Sequence, residues 1–295
     1  MDEEELKAHK EAGRIISEVR EEAGKFIKEG MLLGDIADRI EALVREKGAE
    51  VAFPVCLSIN DLAAHYSPGK GDQSRIPEGA VLKVDIGAHI DGYVADTACT
   101  IAFSDEHKPL VEASIAGLNA AIEQCYTNNL LSNVSAAIES AIKERGFNPI
   151  SNLTGHGLGR YWLHDQPSVP NVSFTSAYKL KEGQAIALEP FATAGTGRVK
   201  DAESITIFRI DSPKPVRNPE ARKIIDFATA RGGTLPFSER WLPIDSVFKM
   251  KLAMRELREK EILYEYPALR EVSGALVSQA EHSIIIGDKP LVITK

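Results

Sequence analysis

Two aspartates in the stretch VDIGAHIDGYVADTACTIAF, residues 84–103, are the first candidates for chemistry. Asp85 and Asp96 each interrupt an apolar run that otherwise has the composition of a β-strand. A half-buried carboxylate is unfavourable unless a partner compensates its charge. Between them, Asp91-Gly92 flanked by apolar residues predicts a hairpin with a two-residue turn.

The predicted turn sets the relative position of the two carboxylates. Counting outward from a turn at residues 91–92 places Gly87 opposite Asp96. Asp85 is two residues from Gly87, so it points to the same face. The carboxylates are then diagonal neighbours, roughly 7 Å apart at Cβ, and they repel unless a divalent cation bridges them. A three-residue loop would put them on opposite faces, and a solvated pair is the alternative to a metal site.

An internal duplication brings two further acids into the argument. Two pairs of segments align in the same order along the chain: IEALVREKG (40–48) with IESAIKERG (138–146), and PEGAVLKVDI (77–86) with KEGQAIALEP (181–190). The second alignment places Glu189 where the first half has Asp85. Glu281 stands before an apolar run much as Asp96 does. Four uncompensated acids on one core face would be very unfavourable, which favours a metal site.

Three histidines complete the set of candidates. His65 and His164 fall at nearly matching places of the two halves, and His156 lies between glycines in TGHGLG. Alone, His156 is better explained as a turn residue, but beside four acids we interpret it as a ligand. Four carboxylates and one imidazole suit Mn, Fe(II) or Co, with Zn as a further candidate. Five ligand residues, some of them bridging, suit two ions about 3.5–4 Å apart.

Helical periodicity predicts the elements that position these residues. Helices are expected at 3–29, from an N-cap at Asp35 to Gly48, at 110–126, and from Asn133 onward. Two similar halves, about 1–105 and 106–295, predict one α+β catalytic domain whose sheets meet at a central site. Residues 211–267 are interpreted as a mostly helical insertion in the second half.

The composition limits the cellular setting. The 295 residues carry a net charge of -8, which argues against nucleic acid as the main partner. The acidic N-terminus lacks the apolar segment of a signal peptide, and no apolar run is long enough for a membrane span. Cys56, Cys99 and Cys125 are far apart, which predicts free thiols in a reducing compartment. We therefore expect a cytoplasmic protein.

Taken together, these residues resemble the methionine aminopeptidases, metal-dependent enzymes with the pita-bread fold, along essentially the whole chain. The matching motifs are AFPVCLSINDLAAHYSPGKGD, VDIGAHIDGYVADTACTI, TGHGLGRYWLH, LEPF and AEHSIII. The ligand positions of the family motif fall on Asp85, Asp96, His156, Glu189 and Glu281. The 92 residues from Glu189 to Glu281, and the lack of a long charged N-terminal extension, resemble the archaeal form of the type 2 enzymes.

The resemblance implies removal of the N-terminal methionine from nascent proteins whose second residue is small. Two divalent ions (Co, Mn, Fe or Zn) would activate a water for attack on the peptide bond. Glu189 is implied as the proton shuttle, with Asp96 and Glu281 bridging the ions. His65 is implied near the scissile nitrogen and His164 near the carbonyl oxygen, as substrate contacts rather than ligands. A structural histidine is the alternative for each.

The resemblance also implies a side-chain pocket and partners. Phe53, Phe191 and Tyr266 resemble the aromatic lining of a methionine pocket, which suits a polarizable thioether; ordinary core packing is the alternative for each. The implied partners are the N-termini of nascent polypeptides, with the ribosome as one meeting place. We expect a monomer that binds neither membranes nor nucleic acid directly.

Two rival classes stay open. Xaa-Pro dipeptidases and aminopeptidases P use a similar set of five ligands. They usually carry an additional N-terminal domain, which this sequence does not show, and their two glutamates lie closer together. Some relatives of the same fold are non-catalytic binding proteins that have lost ligands, whereas all five ligand positions are kept here.

Overall fold

The computed structural model describes all of residues 1–295, and it combines helices with antiparallel sheets. The six α-helices are α1 (Glu3–Phe26), α2 (Leu33–Glu46), α3 (Lys108–Glu123), α4 (Leu131–Lys143), α5 (Pro219–Ala230) and α6 (Val247–Glu259). The strands are β1 (Glu50–Val51), β2 (Cys56–Ile59), β3 (Leu62–Ala64), β4 (Val81–Ile90), β5 (Tyr93–Ala102), β6 (Asn148–Pro149), β7 (Thr154–Gly159), β8 (Trp162–Pro170), β9 (Ala185–Leu188), β10 (Phe191–Thr193), β11 (Val199–Ile210), β12 (Phe237–Ser238), β13 (Leu263–Glu271), β14 (Val277–Gln279), β15 (His282–Ile285) and β16 (Leu291–Val292). Short 3₁₀ helices lie at Asp105–His107 and Glu239–Trp241.

The helices form where the sequence predicts them, with shifted ends. α1 begins with a capping box in which Asp2 and Glu5 bond each other's backbone N–H. The N-cap predicted at Asp35 is wrong, because α2 already begins after Leu32, which offers no side-chain cap. Asp35 lies instead in the first turn, where its charge complements the helix dipole. α4 likewise begins before the predicted Asn133.

Four sheets hold the strands, and every pairing between named strands is antiparallel. The first sheet has the order β1-β4-β2, with β5 also paired to β4. A five-stranded sheet of the second half has the order β16-β15-β9-β7-β8. A third has the order β12-β11-β13-β3, and a fourth joins β14, β10 and β6. The third sheet therefore links the first half, through β3, to strands of the second.

Three hydrophobic clusters each join a helix pair to a sheet. Representative members of the clusters are Ile36 and Val84, Ile138 and Ile186, and Ile224 and Phe208. The first cluster places α1 and α2 on β4 and β5, and the second places α3 and α4 on β9 and β15. The third packs α5 and α6 on β11. None of the helices combines the length and the apolar character needed to cross a membrane.

A buried ion pair attaches the α5–α6 segment to the first half. Glu41 of α2 is only 2% exposed, and its Oε1 lies 2.7 Å from Arg240 Nη2. Trp241 Nε1 donates to the same carboxylate at 2.6 Å. Within residues 211–267 the structure has both helices and β12, and the last five residues already belong to β13. Moving the α5–α6 segment away from α2 would break this pair and leave the buried Glu41 carboxylate without a compensating charge. The pair therefore stabilises the position of the segment against the first half.

A second buried carboxylate, Glu271, organises the end of β13. It accepts hydrogen bonds from the N–H and hydroxyl of Thr196, at 2.7 and 2.6 Å. It also accepts from the N–H and hydroxyl of Ser273, at 2.6 and 2.5 Å, and from Ala275 N at 3.2 Å. Burial opposes ionisation, but these bonds outweigh it and lower the pKa of Glu271 to about 2.

Glu271→Ala is expected to lower the free energy of unfolding by about 2–4 kcal/mol, because several buried donors lose a charged acceptor. The folded-state pKa is depressed, so this contribution is present above about pH 4.5 and disappears as the pH falls toward about 2. Urea unfolding followed by circular dichroism at pH 7 and at pH 3 measures both effects. The control Glu265→Ala removes a glutamate of the same strand that pairs with exposed Arg258, and should change stability by less than about 1 kcal/mol. Equal stability of both variants at pH 7 would contradict this assignment.

Candidate metal centre

The hairpin carrying Asp85 and Asp96 has the predicted register. Gly87 pairs with Asp96, and the turn residues Asp91 and Gly92 have φ values of 51° and 89°. Two positive φ values are typical of a type I′ turn, which matches the twist of the flanking strands. Asp85 and Asp96 therefore lie on one face as diagonal neighbours, which confirms the geometry expected from the sequence.

Gly87 also makes room for an aromatic ring beside the carboxylates. A Cβ at this position would lie 2.1 Å from Cε1 of Phe53, so the ring occupies the space that a side chain would fill. Only glycine permits this approach opposite Asp96.

Hydrogen bonds across the junction of the two halves place Glu281 beside Asp96. Glu281 N donates to Ala98 O at 3.0 Å, and Thr97 Oγ1 donates to Glu281 O at 2.8 Å. The Ser283 hydroxyl accepts from Asp96 N and donates to Asp96 O, both at 2.8 Å. These bonds fix the backbones of both acidic residues, so the two carboxylates face the same space.

His156 and Glu189 come from neighbouring strands of the five-stranded sheet. His156 of β7 pairs with Ala187 of β9, and Glu189 follows the end of β9. His156 Nε2 lies 3.7 Å from Asp96 Oδ2 and 3.6 Å from Glu189 Oε1. Its Nδ1 lies 3.1 Å from Gly157 O. A carbonyl only accepts, so Nδ1 carries the proton and Nε2 presents its lone pair to the acids.

The donor set fits divalent metal. Donor atoms of Asp96, His156 and Glu281 all lie within 4.8 Å of one another. Oδ1 of Asp85 and Oδ1 of Asp96 are buried without a hydrogen-bond partner. None of the four acids pairs with a lysine or arginine, and His156, which lies within 4 Å of Asp96 and Glu189, is neutral because burial lowers its pKa to about 4. Buried carboxylates without a compensating charge are unfavourable, and oxygen donors select a hard divalent ion.

The electrostatics of the cluster lead to the same conclusion. Burial raises the pKa of Asp85 to about 7. Burial, and then the neighbouring carboxylates, hold the pKa values of Asp96, Glu189 and Glu281 well above their usual range. Without a cation the four groups could not all be ionised at neutral pH. Metal binding would restore the charged form, so affinity for metal should rise with pH.

His65, His164 and Tyr266 line the same cavity as the five acidic and imidazole donors, which we call the inner cavity. The His164 ring centroid lies 4.6 Å from that of His156, 6.5 Å from that of His65 and 5.7 Å from that of Tyr266. His65 adopts a positive φ of 62°, which is uncommon outside glycine. Burial lowers the pKa of His65 to about 4, so its ring is neutral at physiological pH. The structure thus places both histidines in the cavity that contains the candidate metal ligands.

The predicted aromatic residues separate into two groups. Phe53 and Tyr266 line the cavity, whereas Phe191 does not. Phe191 is fully buried in a small cluster with Ala64, one layer behind the cavity wall. Strand β9 ends at Leu188, and Phe191 begins β10 in another sheet.

Other residues of the site had a weaker signal in the sequence. Cys56 and Ile207 line the cavity and form a small buried cluster with Tyr266. Gln279 Nε2 lies 3.4 Å from Asp85 Oδ2 and 3.3 Å from Glu281 Oε2. Gln279 precedes Glu281 by two residues, and that spacing could have identified it. Nothing in the local sequence marks Ile207.

The antiparallel sheets meeting at a buried carboxylate-imidazole cluster define a metal-dependent enzyme. The chain belongs to metallopeptidase family M24, whose family model matches residues 7–211. Members of this family use divalent metal, which agrees with the donor set described above.

Curated relatives of similar length share much of the sequence. The chain is 44% identical to a methionine aminopeptidase of Pyrococcus abyssi over 286 residues, 96% of this chain and 97% of the relative. It is 40% identical to a methionine aminopeptidase of Methanocaldococcus jannaschii over 284 residues, 96% of each chain.

Solved structures confirm the fold. A methionine aminopeptidase of Thermotoga maritima aligns with a TM-score of 0.74 at 22% identity, covering 100% of this chain and 98% of that one. A prolidase of Pyrococcus furiosus gives 0.64 at 17% identity, covering 100% and 64%. The predicted fold class, an α+β pita-bread fold with a helical insertion, is therefore confirmed.

Proposed function

We propose that this chain is a cytoplasmic methionine aminopeptidase that removes the first residue of nascent polypeptides when the second residue is small. The observation that carries the proposal is the inner cavity, where the acidic cluster, two neutral histidines and an apolar wall meet. The names of relatives at 40–44% identity over nearly the whole chain support the same activity.

The proposed cofactor is a pair of divalent ions held by Asp85, Asp96, His156, Glu189 and Glu281. Five donor residues exceed what one ion needs, and donor atoms of Asp96, His156 and Glu281 lie within 4.8 Å of one another. When bound, the ions would lower the pKa of water and polarise the substrate carbonyl. Mn, Fe(II), Co and Zn are the candidates for an oxygen-rich site with one imidazole.

The protein's own groups would then handle the proton and orient the peptide. Glu189 would take the proton of the attacking water and give it to the leaving amine. Glu189 lines the inner cavity together with both histidines, which places its carboxylate beside the groups proposed to contact the peptide bond. His65 and His164 would bond the scissile nitrogen and the carbonyl oxygen. Since His65 is neutral, it can do so without adding charge.

The side chain of the first residue would lie against Phe53, Tyr266 and Ile207, which are all buried. Cys56 completes this wall. Burial raises the pKa of Cys56 well above its usual range, so its thiol stays protonated and behaves as a small apolar group. An unbranched, polarizable side chain fits such a surface.

The decisive assay is hydrolysis of Met-Ala-Ser by protein reconstituted with Mn, Fe(II) or Co, with released methionine quantified. We expect efficient release from peptides that begin Met-Ala, Met-Gly, Met-Ser, Met-Thr or Met-Val. Met-Lys, Met-Phe and Met-Glu starts should be much slower, and Leu-Ala should be cleaved poorly. Each misfit group changes the barrier by about 1–3 kcal/mol, so rejection is strong but incomplete.

The same peptide series separates the rival classes. Preference for Xaa-Pro starts whatever the first residue would move the protein to the aminopeptidase P class. No cleavage with any of the metals would favour a binding protein.

A further inference from the structure

A second, wider cavity opens from the inner one. Both are lined by His65, His164 and Glu189, so the space is continuous at the position proposed for the scissile bond. The outer cavity is also lined by Trp162, Arg209 and Tyr264. A peptide whose first residue occupies the inner cavity can extend into this outer one.

The register of β11 and β13 shows how far the outer residues lie from the first side chain. Ile207 pairs with Tyr266 at the inner cavity, and Arg209 pairs with Tyr264 two positions along the same ladder. Residues two apart on a strand point to the same face and are about 7 Å apart. An extended peptide advances by two residues over that distance. For a peptide that runs along this ladder and whose first side chain contacts Tyr266, Arg209 is level with the third residue.

Arg209 is held in a geometry that leaves donors available. Its guanidinium carbon lies 4.9 Å from the Trp162 ring centroid and 4.7 Å from that of Tyr264. The side chain is 16% exposed. Its single hydrogen bond runs from Nη2 to Asp211 Oδ1 at 2.9 Å, and its Nε is buried without a partner. Asp211 is half exposed, so it neutralises the guanidinium only weakly.

We propose that Arg209, flanked by Trp162 and Tyr264, forms a subsite for the third residue of the substrate and favours an acidic side chain there. A preorganised guanidinium with unmet donors binds a carboxylate through charge-assisted hydrogen bonds. The two aromatic rings, both within 5 Å of the guanidinium carbon, hold the cation by attraction to their π faces. This inference rests on the proposed aminopeptidase activity and extends it beyond the first two residues.

The test measures kcat/KM for Met-Ala-Glu-Ala, Met-Ala-Gln-Ala and Met-Ala-Lys-Ala, which differ only at the third residue. We expect Glu to exceed Gln by about fivefold, the upper range for a partly exposed ion pair, with Lys below Gln. The difference should appear mainly in KM and should shrink as NaCl is raised, because salt screens the charges.

Variants assign the preference to this residue. Arg209→Gln should bring the Glu/Lys ratio close to one, and Arg209→Glu should invert it. Each ratio is taken within one preparation, so it does not depend on the fraction of folded enzyme. The control Lys200→Gln removes an exposed positive charge of the same strand, nine residues away, and should keep the wild-type ratio.

Two results would overturn the subsite. One is a wild-type Glu/Lys ratio within twofold while all three peptides are cleaved, which leaves the aminopeptidase activity standing. The other is an unchanged ratio in Arg209→Gln. Failure to cleave any of the three peptides would instead contradict the proposed aminopeptidase activity, and the subsite proposal would fail with it.

Discussion

Asp96→Asn is expected to abolish peptidase activity and to release bound divalent metal. Asp96 is buried at the junction of the two halves, and its carboxylate faces His156 and Glu281. An amide of the same shape lacks the negative charge that a hard cation requires. Loss of the metals would remove several kcal/mol of transition-state stabilisation, so kcat/KM should fall by more than about a thousandfold.

The measurement combines metal analysis of the purified protein with hydrolysis of Met-Ala-Ser. Asp91→Asn is the matched control: it makes the same change in the same hairpin, at the exposed turn. Its positive φ of 51° suits asparagine, so metal content and activity should stay near wild type. Wild-type protein treated with EDTA should lose activity and recover it with Mn, Fe(II) or Co. Full turnover by metal-free protein would refute the metal centre.

His164→Ala should lower kcat/KM by roughly 30- to 1,000-fold while metal content stays unchanged. The ring contacts His156 and Tyr266 and lines both cavities, which places it beside the substrate. Loss of one hydrogen bond that strengthens in the transition state corresponds to about 2–4 kcal/mol. His164→Gln keeps a donor and should recover part of the loss.

A control histidine distinguishes this role from general damage. His107 lies in the short 3₁₀ helix before α3, beside the exposed Glu106, and His107→Ala should leave kcat/KM unchanged. Loss of metal from His164→Ala in proportion to the loss of activity would make His164 a ligand, and the assignment as a substrate contact would fail.

The hairpin turn, the strand faces and the helices could be predicted from the sequence, because each depends on residues that are close together in the chain. The Asp-Gly pair accepts two positive φ values, so the turn and its two-residue length determine the register. Side chains alternate along a strand, so the shared face of Asp85 and Asp96 follows from counting. The helices were predicted in type by their apolar periodicity, whereas their ends shifted by a few residues because tertiary packing and backbone geometry decide where a helix begins.

The tertiary structure decided what depends on contacts between distant segments. Phe191 does not line the predicted pocket, because the polypeptide enters a different sheet after Leu188. Arg209 has no sequence motif of its own. It became a candidate only because β13 places Tyr264 opposite it and β8 brings the Trp162 ring within 4.9 Å of its guanidinium carbon.

By itself, the sequence determined the turn and the strand faces, because both depend on residue type and short-range spacing. It supplied the five candidate donor residues through the internal duplication and the family resemblance. It did not determine how the donors meet. Glu281 reaches Asp96 through hydrogen bonds between residues more than 180 positions apart, made by Thr97 and Ser283. Such contacts depend on how the two halves pack, and packing is a property of the whole chain rather than of any segment.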